Sequence, residues 1–104
     1  MIEIKGNNGK SRIFEELMTP NTFGIIIDDS FHNISGDKIF IIQPDVFDQK
    51  VIIGFMEDFP WHAYNKIMVY TNFNYEKVKP IIDWMKKKEK QNFYLQCIIF
   101  YKEE

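Results

Sequence analysis

Three short stretches hold residue types whose spacing could do chemistry. The first is IKGNNGKS, residues 4–11. Gly9, Lys10 and Ser11 follow an alternating run and precede a helical pattern. Such a turn aims backbone N–H groups and a helix N-terminus at a phosphate, with Lys on the phosphate and a hydroxyl on magnesium. The full pattern needs an earlier glycine where Ile4 stands; Gly6 comes two positions later. The loop is therefore shortened or degenerate. Asn-Gly is also the strongest short hairpin signal, and taken alone this stretch reads slightly better as a turn between two strands.

The second stretch is GIIIDDS, residues 24–30. A buried strand that stops on Asp28 and Asp29 could place one carboxylate on a magnesium shell and a second against water. Its bland reading is a buried strand with an acidic stop. The third is IMVYTNFNYEKVK, residues 67–79, where Asn72 marks the polar end of an apolar strand. Its bland reading is an Asn cap or turn. Other constellations are weaker. His32 and His62 stand in separate loops without metal-ligand spacing. Cys97 sits in an apolar run and reads as core rather than nucleophile.

These stretches need elements to hold them. Residues 2–5 alternate as a half-buried strand, and SRIFEELM (11–18) fits a short helix with Ile13, Phe14, Leu17 and Met18 on one face. TFGIII is a continuous apolar run, as in a strand buried on both faces of a parallel sheet. KIFIIQP reads as a strand ended by Pro44. KVIIGFM reads as a strand or a turn of helix. KIMVYTN is a strand. Because Pro80 suits a first helical position, the main helix is expected at about 80–90, after a turn. FYLQCIIFY reads as a last strand. This order suits a single-domain α/β layer fold over residues 1–104, with a mostly parallel central sheet and few helices.

The third stretch carries a more specific likeness. In AAA+ domains a central strand ends in a polar sensor residue beside the terminal phosphate. In bacterial replicative-helicase loaders that strand ends in a Thr/Ser-Asn-Phe/Tyr run, then another aromatic and an acidic helix start. TNFNYEKV resembles that run, with Asn72 at the sensor position. GIIIDDS resembles the Walker B element, although Asp29 is one methylene shorter than the usual Glu. With Gly9-Lys10-Ser11 in front, the three motifs in chain order resemble a miniature, degenerate helicase-loader domain of the P-loop class.

The departures are as informative. Only 16 residues separate Ser11 from Asp28, where a full AAA+ domain has a further strand and helix. The helical lid has no counterpart. Of 13 basic residues only Arg12 is an arginine, so none remains for a finger or second sensor. The resemblance implies a chain that keeps the outline of a loader subunit without turning over ATP.

Size, Lys/Ile/Asn-rich composition and these motifs also resemble the small early proteins of staphylococcal phages that inhibit the host helicase loader. That resemblance implies a non-catalytic inhibitor of DNA replication that binds the AAA+ domain of the host loader in the bacterial cytoplasm. It implies no cofactor. The alternative is a degenerate P-loop protein or weak NTPase holding ATP and magnesium through Gly9, Lys10, Ser11, Asp28 and Asn72.

For a partner surface, Phe59, Trp61 and Tyr64 in DFPWHAYNK are candidate anchors, with core capping as the even alternative. Homodimerisation stays open. A net charge of −2 argues against direct nucleic-acid binding. No apolar run approaches the roughly 20 residues a membrane helix needs.

Overall fold

The computed structural model describes residues 1–28, 39–42, 48–58 and 63–103. In chain order the elements are β1 (Ile2–Lys5), α1 (Lys10–Leu17), β2 (Thr22–Ile27), β3 (Ile39–Ile42), α2 (Gln49–Glu57), β4 (Lys66–Asn74), α3 (Tyr75–Gln91) and β5 (Gln96–Lys102). The five strands form one sheet in the order β1-β5-β4-β2-β3, and every described pairing is parallel. This is the α/β class that the element order implies.

The apolar runs explain the layering. Strands β2, β4 and β5 are buried on both faces, so successive residues feed two separate cores. Phe23, Ile25, Ile27, Ile67, Val69, Cys97 and Ile99 face α2 and α3, which contribute Ile52, Met56, Val78, Ile81, Ile82, Trp84 and Met85. Ile26, Met68, Tyr70, Ile98 and Phe100 face α1, whose Phe14 is fully buried among them. Phe14 stands edge-on to Tyr70 and to Phe100, with centroids 5.7 and 5.5 Å apart.

Direction and face reverse together. From the edge strand β1, α1 carries the chain past β5 and β4 to β2, on one face. The returns through α2 to β4 and through α3 to β5 run the other way, on the opposite face. A single handedness of parallel crossovers demands this coupling.

Two open alternatives are decided and two expectations need correcting. IKGNNGKS does not turn a hairpin: β1 pairs in parallel with β5, and the chain enters α1 at Lys10. The amphipathic pattern beginning at Lys10 outweighs the local Asn-Gly signal. KVIIGFM forms most of α2, with the Asp48 side chain accepting from the Lys50 N–H at 2.8 Å to cap it.

The main helix starts at Tyr75 rather than near 80, so Pro80 lies in its interior. Asn74 caps that helix by accepting from the Lys77 N–H at 3.2 Å, and five buried side chains hold it. Those contributions outweigh the missing Pro80 N–H, on a side chain exposed to water. Finally, Phe93 and Tyr94 belong to the turn before β5, not to the strand.

Candidate functional site at the C-terminal edge of the sheet

The site residues sit where parallel strands end, the usual ligand-binding edge of open α/β sheets. The loop after β1 brings Gly9, the residue before α1, with φ of 78°. That left-handed conformation is natural only for glycine. Its carbonyl accepts the first helical bond, from the Ile13 N–H at 3.4 Å. Gly9 has no side chain to cap the first turn of α1.

Lys10 opens the helix, and its side chain runs inward rather than to solvent. Its exposure is only 4 %. The ammonium donates to the Thr71 carbonyl at 3.1 Å and lies 5.3 Å from the centre of the Tyr70 ring. Burial holds this lysine below the usual ammonium range, partly opposed by the attraction of Asp28 and reinforced by repulsion from Lys102. Ser11 is half-buried beside it.

Asp28 follows β2 and is 3 % exposed. Asn72 donates from Nδ2 to its Oδ1 at 2.7 Å. Local backbone geometry makes this contact: the β4–β5 register shifts between Tyr70 and Asn74. Such irregularities re-aim side chains. Within the irregular stretch the Thr71 hydroxyl accepts from the Phe73 N–H at 3.0 Å. Tyr70 is pushed up from its ordinary pKa, first by burial and then by the Asp28 charge.

The three motifs therefore converge although β1 and β2 are separated by two strands. The length of Lys10 and the path of α1 over the sheet close that gap. Beside them lies a depression of about 270 Å³ lined by Gly6, Asn7, Lys10, Asn72 and Lys102. Lys102, the end of β5, was not legible as a site residue. Only the placing of β5 between β1 and β4 brings it here.

The proposed partner anchors divide differently. Phe59 and Trp61 lie outside the described residues, as do the strand-end carboxylate Asp29 and the two histidines His32 and His62. Tyr64 is half-buried and packs on the core, its ring 5.7 Å from that of Phe23. By contrast Phe93 is 98 % exposed, with Tyr94 edge-on to it at 6.1 Å. The apolar run FYLQCIIFY favours a strand through both; the Gln91-Asn92 pair ahead of them is the local sign of the turn they form.

No family model, curated protein or solved structure matches the chain.

Proposed function

We propose that this protein acts by binding another protein, as a phage-encoded inhibitor of the bacterial helicase loader that docks on the loader's AAA+ domain without catalysis of its own. The observation that carries the non-catalytic part is the internal closure of the motif residues. The Lys10 ammonium is tied to the Thr71 carbonyl, and the Asp28 carboxylate accepts from Asn72. Those groups would be required on phosphate and magnesium in a working hydrolase. Here each already has a protein partner that a ligand would have to displace, and displacing Lys10 would leave the buried Thr71 carbonyl without its donor. The loader as partner rests on the resemblance of GKS, GIIIDDS and TNFNYEKV to the loader's own motifs.

The exposed Phe93–Tyr94 pair supports binding as the mode of action. A fully exposed phenylalanine contributes nothing to its own core, while aromatics are favoured interface anchors. The decisive experiment mixes the purified chain with a staphylococcal loader AAA+ domain and follows co-migration on a sizing column. A stoichiometric complex that Phe93→Ala weakens, with the fold unchanged, is the expected result. Separate elution at micromolar concentrations overturns the reading.

A second reading keeps one supporting feature. The depression beside Lys10 lies against the uncapped first turn of α1, a place where an anion could be held. It predicts heat on titration with ATP and magnesium that Lys10→Ala abolishes. Calorimetry without heat removes it.

A further inference from the structure

The edge strand β1 has a pattern that fits a second copy of itself, and this inference is independent of the proposed function. Among the described strands β1 pairs only with β5, in the register Ile2–Ile98 to Lys5–Tyr101. The Gly6 N–H donates to the Tyr101 carbonyl at 3.2 Å. In a parallel ladder that bond fixes the direction of every other group on the strand. Even-numbered residues turn their N–H and C=O toward β5; Glu3 and Lys5 turn theirs outward.

Two outward-facing residues spaced two apart form hydrogen-bonded pairs with an antiparallel strand. Three two-fold registers of β1 against itself are then open. Pairing Glu3 with Glu3, or Lys5 with Lys5, sets like charges directly opposite, which is destabilising. The remaining register centres on Ile4 against Ile4. It sets Glu3 opposite Lys5 of the other copy, twice by symmetry, and satisfies all four outward backbone groups on each chain. Charge thus selects the one register that backbone geometry also satisfies.

The side chains agree. Ile4 packs on the α1 face, and Ile2, two residues away, shares that face at 43 % exposure. In the same register the two Ile4 side chains meet across the axis, and each Ile2 lies opposite the partner's Gly6. We infer that the chain forms a two-fold homodimer through β1, joining two parallel sheets by an antiparallel seam at Ile4.

The test is mass against concentration in a sedimentation experiment, beside a cross-link that reads the register. The wild type is expected to move from the 12.5 kDa chain mass toward twice that value as concentration rises. Lys5→Glu places carboxylates opposite each other and is expected to raise the dissociation constant about tenfold. Lys5→Pro removes an outward N–H while leaving the β5 ladder intact, and weakens the dimer similarly.

Ile4→Cys places two thiols at a non-hydrogen-bonded pair, where Cα atoms approach to about 4.5 Å, within disulfide range. Oxidation should yield a covalent dimer, which the buried Cys97 of the wild type does not form. A single-chain mass at every concentration with no cross-link from Ile4→Cys overturns the proposal. So does a dimer indifferent to both Lys5 variants.

Discussion

Burial favours the neutral form of both Lys10 and Cys97, which lowers the pKa of the amine and raises that of the thiol, so only the thiol loses reactivity by it. The Lys10 ammonium is held by a carbonyl and an aromatic face inside the protein. Replacing it with alanine leaves the Thr71 carbonyl and Asp28 without that cation. The expected cost is about 1–3 kcal/mol, read from the denaturant midpoint. Cys97 is fully buried, and burial, followed by the nearby Glu89 charge, pushes its thiol from 9.0 up to about 12. A raised folded pKa means the native state holds a proton that the unfolded state releases. Its contribution is therefore intact below pH 9 and is lost as pH rises toward 12, at about 1.4 kcal/mol per pH unit. Thermal unfolding followed upward from pH 9 should show this loss, and Cys97→Ala should flatten it.

At the scale of elements, α3 contains both its strongest local support and its clearest local fault. Asn74 caps the first turn, so Asn74→Ala should cost about 1 kcal/mol in chemical unfolding. Pro80 lies exposed in the interior, where an interior proline costs roughly 3 kcal/mol. Pro80→Ala restores the N–H but loses some unfolded-state restriction, worth about 0.4–1 kcal/mol. The net expectation is a gain of about 2 kcal/mol, seen as a higher midpoint in the same assay. Helix α1 and the sheet meet closely at Gly24 in β2. A Cβ there would lie 3.2 Å from the Met18 sulfur and 3.3 Å from Phe14 Cζ. Met18 is flexible, but Phe14 is fully buried with rings on two sides. Gly24→Ala should therefore cost about 1–3 kcal/mol of overpacking, checked by melting temperature.

For the whole molecule, the telling fact is that the last strand separates the first from the rest of the sheet. Strand β5 joins β1 to β4, and the Glu89 carboxylate at the end of α3 accepts from the Cys97 N–H at 2.7 Å to hold it in place. Removing the chain after Gln91 strips β1 of its only described neighbour and opens both cores. That truncation should lose cooperative unfolding, as followed by circular dichroism. No helix among the described residues is long and apolar enough to cross a membrane.

Much of this was legible in the residues. The unbroken run TFGIII required burial on both faces of a parallel sheet, and all six of its residues are buried. The meeting of Lys10, Asp28 and Asn72 was also visible, as three motifs each at a strand end. Hydrophobic period and strand-end chemistry are local properties, and local sequence carries them. What lay beyond it was set by distant partners. Whether Asn8-Gly9 turns a hairpin depends on which strand lies beside β1, and that strand is some 90 residues away. Whether Lys10 points at a ligand or into the protein depends on a carbonyl of β4. Helix α3 tolerates Pro80 because its opposite face is buried against the sheet. The alternating Ile2-Glu3-Ile4-Lys5 was determined by sequence alone; only the placing of β1 at the edge turned its outward groups into a surface that a second copy can match.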